Sequence, residues 1–358
     1  DIQLDLDEPV GRRCYFEPPW LPGQTAIMHR APLGVWRLDY AVPEHLSDEE
    51  ALDPERIAKD VNAHLKYIGV DVPWKFEWTT LYKPNALTLA KYNHGRVLFC
   101  GDAAHLLPVF GVRGMNTGVQ DSINLGWKLA AVVREQAPPE ILDTYSSERV
   151  ADARQICVEA ARSTRMVAPP TRGHRVMQRA VLSLAKDHEW VRGLLHWRTS
   201  HPIGYGSSPL TLIDATESSF HGGPAPGESA RNARLNPADP KAGFLLDHFG
   251  PAFHVIVFGQ DEGLFMQALQ DVQDLRGQGL AVRLLAVPRQ DAALAGADAV
   301  LPDAGGHLSA LWGCRGPAVY VLRPDQHVCA RWTASSQVRV ADAVRQALGA
   351  SLSKTAVA

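Results

Sequence analysis

Between Gly95 and Leu129 the chain passes from a short apolar segment through a glycine-rich loop into a helix, a succession that few folds accommodate. Residues 96–100 (Arg-Val-Leu-Phe-Cys) lack the alternation of a half-buried strand. That pattern predicts a short strand covered on both faces. Gly101 lets the backbone turn sharply where the strand ends. Asp102 then presents a carboxylate at the strand's carboxyl edge, where α/β sheets bind ligands. A carboxylate there suits a hydroxyl group, which can donate a hydrogen bond to it. Ala103 and Ala104 keep the wall low enough for a large planar ligand. Glycines 111, 114 and 118 allow backbone N–H groups to approach something flat. The loop feeds a helix expected over residues 117–134. The first turn of such a helix offers unpaired N–H donors and a partial positive charge, which favour an anionic ligand edge.

Gly101-Asp102-Ala103-Ala104-His105, followed by Pro108, Gly111, Gly114, Asn116, Gly118, Asp121, Asn124-Leu125 and Trp127-Lys128-Leu129, resembles the second flavin motif of the group A flavoprotein monooxygenases. These are single-component FAD-dependent aromatic hydroxylases, of the phenol hydroxylase and 3-(3-hydroxyphenyl)propionate hydroxylase type. Residues 142–149 are similar to a further segment of that family, and the resemblance extends over residues 1 to about 200. It implies FAD as cofactor, with NAD(P)H as reductant and a small aromatic substrate and O2 as partners. The implied chemistry is hydroxylation of a phenolic or otherwise activated ring through a flavin C4a-hydroperoxide. Gly101 and Asp102 would lie on the ribityl side, with Asp102 holding a hydroxyl. Backbone at Gly111, Val112, Arg113, Gly114, Met115 and Asn116 would face the pyrimidine edge. Pro108 would lie beside the ring, and His105 is the second candidate catalytic position, equally readable as a structural histidine. The family's commonest residue at position 113 is Gln; Arg113 here reads either as a flavin contact or as a solvated or salt-bridged side chain.

Residues 1–90 read as a sheet-rich layer with one helix. Strand-like runs occupy 12–16, 25–30, 35–42 and 74–82, separated by Pro/Gly breakers. Asp53 and Pro54 open a helix over 54–68, with Ile57, Val61, Leu65 and Ile68 on one face. Trp36, Tyr40, Trp78 and Tyr82 could line an aromatic-substrate pocket or belong to the core. Residues 91–200 read as the C-terminal part of a Rossmann-like FAD domain, with helices over 145–166 and 173–197. The Gly/Pro/Ser-rich stretch 201–240 reads as a linker. Residues 241–358 form a second α/β unit, with strands at 252–258, 281–287, 318–322 and 328–332 and helices near 263–275, 307–311 and 336–348. By the resemblance this unit is thioredoxin-like, but no CxxC occurs in it. The expected fold is therefore α/β with α+β parts.

The 36 basic and 39 acidic side chains leave a formal charge of -3, which points away from nucleic-acid binding. Apolar runs are too short to span a bilayer. Five scattered cysteines and no zinc spacing fit a reduced, cytoplasmic protein without a metal site. No GxGxxG occurs in these 358 residues, nor does the family's later Asp-Gly motif. The chain opens at Asp1 in a strand-like run. The expectation is a chain missing the ADP-binding half, not competent alone, whose helix 117–134 leaves an apolar face exposed through Ile123, Leu125, Leu129 and Val132. Two other readings stand beside it: a non-catalytic remnant that binds an aromatic ligand or partner, and a split enzyme completed by a separate N-terminal chain. A homodimer is also compatible.

Overall fold

The computed structural model describes residues 1–43, 45–83, 85–108, 113–195, 203–290 and 294–352. In chain order the first elements are β1 (Ile2–Leu4), β2 (Arg12–Phe16), β3 (Thr25–Arg30), β4 (Val35–Tyr40), α1 (Asp48–Ala51), α2 (Pro54–Tyr67) and β5 (Trp74–Phe76). Next come β6 (Leu87–Thr88), β7 (Asn93–His94), β8 (Val97–Leu98), β9 (His105–Leu106), α3 (Gly114–Val133), α4 (Ile141–Val167), α5 (Arg172–Leu184) and α6 (Glu189–Leu195). The remainder is β10 (Phe253–Phe258), α7 (Glu262–Gly277), β11 (Val282–Val287), β12 (Ala299–Val300), α8 (His307–Leu311), β13 (Ala318–Leu322), β14 (Val328–Thr333) and α9 (Val340–Ala347). The chain divides into two compact units. One contains residues 1–86, 107–111 and 157–199; the other contains 87–106, 112–156 and 200–358.

In the first unit an antiparallel sheet has the order β2-β3-β4-β1-β5. In β1 the buried Ile2 and Leu4 flank an exposed Gln3, so one face is dry and the other wet. The apolar stripe of α2, Val61 and Leu65, closes that dry face over Ile2, Leu4, Met28 and Trp36. Asp53 caps α2 by accepting from the Glu55 N–H, and Pro54 follows at its first position, as the sequence leads one to expect. The single helix expected over 173–197 is, among the described residues, two helices, α5 and α6. Asp187 and His188 are weak helix formers. The break between α5 and α6 brings Val191 onto Met166 and Val181.

In the second unit, β10, β11 and β12 run parallel, while β13 and β14 continue the sheet antiparallel, in the order β12-β11-β10-β13-β14. β10 is buried along its whole length, which explains its unbroken apolar sequence. On one face Val255 and Val257 pack with Phe265, Val272 and Val344; on the other Ile256 and Phe258 pack with Leu308, Trp312 and Tyr320. Residues 203–240 contribute Tyr205, Leu210 and Phe220 to buried positions. Gly223 has a φ of 75°, and an added Cβ there would lie 2.1 Å from the Trp312 carbonyl oxygen, so only glycine allows that crossing.

The strand expected over 96–100 is corrected. It is a two-residue arm of the β7–β8 hairpin, with Val97 55% exposed, and no parallel strand pairs with it among the described residues. Its apolar sequence reflects a face that these residues leave uncovered. The helix after the loop starts at Gly114, three residues earlier than expected, with Arg113 as an N-cap that forms no side-chain cap.

Candidate functional site

Gly101–Ala103 forms a single 3₁₀ turn directly after the β7–β8 hairpin. Gly101 sits at φ 59°, a left-handed conformation that favours glycine. A Cβ placed on Gly118 would be 3.4 Å from the Gly101 Cα, so the turn rests against the second turn of α3. This close backbone approach explains why both positions are glycine. Asp102 and Ala103 are exposed beyond it, and the Asp102 carboxylate accepts no hydrogen bond among the described residues.

Behind the turn, Asp121 of α3 is fully buried and joins three elements. Its Oδ2 accepts from the Gly101 N–H at 3.0 Å and from His105 Nε2 at 2.7 Å. Its Oδ1 accepts from Arg149 Nε of α4 at 2.6 Å. An ionised carboxylate only accepts, so His105 carries its proton on Nε2 here. Burial alone would raise the Asp121 pKa; the bonds from His105 and Arg149 outweigh it and hold the group below its usual value. Arg149 also donates to Asp152 and to the Tyr205 hydroxyl. Burial pushes Asp152 up, with Arg149 opposing.

About two turns further along α3, a second buried cluster follows. Lys128 Nζ donates to Glu148 Oε2 at 2.7 Å, and Arg323 Nη1 donates to Glu148 Oε1 at 2.8 Å. Against the burial cost, Arg323 and Lys128 hold Glu148 far below the usual carboxylate range. Burial lowers Lys128 to about 8 despite Glu148. The helix α3 is thus inside out. Thr117, Asp121, Asn124 and Lys128 are buried, while Met115, Val119, Ile123, Leu129 and Val133 are exposed. Of the apolar residues expected on the bare face, Ile123 and Leu129 lie there; Leu125 and Val132 are half-buried.

Gly101 and His105 therefore meet at Asp121, on the protected side of the turn. Met115 and Asn116 are exposed in the first turn of α3, and Gly114 is half-buried. That turn carries no acidic side chain, so the positive end of the helix dipole is not neutralised from within it. Arg113 is half-buried; burial lowers its pKa, and the charge of Asp152 opposes that. Gly111 and Val112 lie outside the described residues. Pro108 is buried, and next to it the Leu107 carbonyl accepts a hydrogen bond from the Tyr82 hydroxyl at 3.2 Å. Tyr82 and Trp78 are otherwise exposed. Tyr40 meets Trp20 edge to face, and Trp36 belongs to the core under α2. Among the described residues no group of three or more His, Cys, Asp or Glu side chains could hold a metal ion.

The turn thus presents an exposed carboxylate at Asp102 and an exposed Ala103 beside a helix N-terminus without acidic residues. The family model described as FAD binding domain matches residues 28–160. Over that stretch and beyond it the chain is similar to FAD-dependent aromatic hydroxylases, which are flavoprotein monooxygenases. It is 26% identical over 332 residues to the 3-(3-hydroxy-phenyl)propionate/3-hydroxycinnamic acid hydroxylase of Mycolicibacterium gilvum, which covers 90% of this chain and 55% of that protein. With the enzyme of the same description from Mycolicibacterium smegmatis it shares 37% identity over 140 residues, 39% of this chain and 24% of that protein. The chain thus spans at most about half the length of these relatives. In fold it is similar to the flavin-dependent monooxygenase PieE in complex with FAD and substrate (TM-score 0.72, 22% identity, 93% of this chain and 60% of that one). It is also similar to aklavinone-11 hydroxylase in a ternary complex with FAD and aklavinone (TM-score 0.66, 20% identity, 97% and 61%).

Asp121, Arg149, Glu148 and Lys128 were legible as motif residues but not as a buried network. The signal was the polar series Thr117, Asp121, Asn124, Lys128, which repeats at helical spacing. Arg323 and Asp325 left no such signal.

Proposed function

We propose that this chain forms the ribityl- and isoalloxazine-facing side of the FAD site in an NAD(P)H-dependent hydroxylase of phenolic rings. The observation that carries the reading is the Gly101–Ala103 turn, which exposes the Asp102 carboxylate and abuts α3, whose first turn is free of acidic residues. Asp102 would accept from a ribityl hydroxyl. Backbone at Gly114, Met115 and Asn116 would face the pyrimidine edge, where the helix dipole stabilises negative charge. When bound and reduced, FAD supplies the oxygen chemistry. The protein's share at this turn is orientation of the cofactor and exclusion of water. His105, bonded to Asp121, holds the turn. The hydroxylase descriptions of the relatives support a phenolic substrate.

The 358 residues contain no GxGxxG turn for the pyrophosphate. The exposed stripe of α3 favours a second component of the reading, a segment or separate chain that packs there and carries the ADP side of the cofactor. Residues 241–358 are read as thioredoxin-like, supported by the order β10-α7-β11-β12-α8-β13-β14-α9, in which β12 is a two-residue edge strand. Lacking CxxC, they are read as structural rather than redox-active.

The test is titration of the purified chain with FAD, followed by flavin fluorescence. Asp102→Ala should weaken binding by about 10- to 100-fold, the loss expected for a hydrogen bond to a charged group. Equal affinity in the two proteins would overturn the assignment.

A further inference from the structure

We propose that the C-terminal sheet is a positioning element for the cofactor turn, acting through Arg323 and the adjacent α4 residues Glu148 and Arg149. The proposal rests on reading Gly101–Ala103 as the flavin turn.

Arg323 follows β13 and is 1% exposed. Its guanidinium grips Glu148 with both ends, Nη1 to Oε1 at 2.8 Å and Nη2 to Oε2 at 3.1 Å, and donates through Nε to Asp325 at 3.0 Å. Asp325 in turn accepts from Trp127 Nε1 at 3.0 Å and Asn124 Nδ2 at 3.2 Å, both on α3. Glu148 accepts from Lys128 and, at 2.6 Å, from the Ser208 hydroxyl. Two cations and two anions are therefore sealed together, and every partner lies on α3, on α4, beside β13 or in the 203–240 stretch.

The next residue along α4 is Arg149, which holds Asp121, and Asp121 holds the Gly101 N–H. A parallel route runs through Tyr205. The Arg323 guanidinium lies 5.1 Å from its ring centre, and its hydroxyl accepts from Arg149 Nη1 at 2.8 Å. The C-terminal sheet thus reaches the Gly101 amide through two sets of buried, hydrogen-bonded charges that are joined by the α4 backbone between Glu148 and Arg149.

Apolar side chains of similar volume would fill the same space with comparable stability. Directional charges add a defined register between α3, α4 and the sheet. Removing one member leaves an uncompensated buried charge, which the cluster relieves by moving helices. Lys at 323 would keep the charge but lose the planar two-ended grip.

The experiment compares Arg323→Met and Arg323→Lys with Arg331→Met in the full chain. Arg331 makes an ion pair with Glu217 and also lies in the C-terminal sheet, on β14, but among the described residues has no bond to α3 or α4. Backbone amide exchange of residues 99–106 is read together with FAD affinity. Expected is exchange about tenfold faster in Arg323→Met, a smaller increase in Arg323→Lys, and little change in Arg331→Met even where its melting temperature falls as far. FAD affinity should fall with the loosened turn.

Unchanged exchange in Arg323→Met, or equal loosening in Arg331→Met, would overturn the coupling. If Arg323→Met does not fold, Arg323→Lys is judged by the same comparison. A loosened turn with unaltered FAD affinity would overturn the positioning role. If the chain with native Arg323 binds no FAD, the flavin assignment fails by itself, while the exchange data still decide the coupling.

Discussion

His64 illustrates how a single side chain ties composition to stability. It projects from α2 into a cage of Tyr15, Trp20 and Tyr67 rings, fully buried, and neither ring nitrogen has a hydrogen-bond partner among the described residues. Burial lowers its pKa from 6.5 to about 4. The folded group therefore refuses a proton that the unfolded chain accepts. Stability from this site is complete above pH 6.5 and declines as the pH falls toward 4, by roughly 3 kcal/mol in all. His64→Phe should remove that share of the acid sensitivity and leave stability at pH 7 equal or higher. Thermal melts of the two proteins between pH 4 and 7 provide the check, and parallel curves would refute the account. At Asp121 the sign of the folded pKa change is likewise downward, so its contribution also disappears on acidification, but there because a paired carboxylate must be protonated.

At the scale of elements, α3 departs furthest from an ordinary surface helix. Its apolar residues Met115, Val119, Ile123 and Val133 are each at least half exposed, whereas its charged face is buried. Covering a side chain such as Ile or Val is worth roughly 1.5–3 kcal/mol, so this stripe is a strong drive toward association. Replacing Ile123 and Val133 with Lys should lower the binding of a hydrophobic dye and reduce self-association in sedimentation. The melting temperature should change little, because surface substitutions usually move stability by less than about 0.5 kcal/mol. A large loss of stability would mean that the stripe is covered within the folded chain. Residues 96–100 depart from the expected strand for a related reason: Val97 is exposed, while Phe99 packs on a small cluster with Tyr92 and Tyr145. Their apolar pattern is that of a buried strand, and pattern reports what a segment is suited to pack against rather than what it meets.

For the molecule as a whole, the cysteines distinguish exposed from structural thiols. Cys14 and Cys100 are exposed and Cys157 is intermediate, whereas Cys314 and Cys329 are buried. Burial pushes the thiols of Cys314 and Cys329 up to about 12. Native protein should therefore leave Cys314 and Cys329 unmodified by a thiol reagent at pH 8, both reacting only in denaturant. Rapid modification of either in the native state would show that the C-terminal core opens far more readily than its packing implies. No helix among the described residues is long and apolar enough to cross a membrane.

Reading residues in order was enough for features whose causes are local. The cap at Asp53-Pro54, the strands of the C-terminal sheet and the turn at Gly101 depend on neighbours a few positions away, and periodicity and glycine chemistry record them. The turn and helix between Gly95 and Leu129 were legible for the same reason, since they are contiguous in the chain. Folding alone decided the rest. It set Asp121 against Gly101, His105 and Arg149, and brought Arg323 and Asp325 to α3 and α4 across some 200 residues of chain. Charged side chains read in isolation belong on a solvated surface; only partners supplied by distant segments make their burial affordable, and sequence spacing carries no record of those partners.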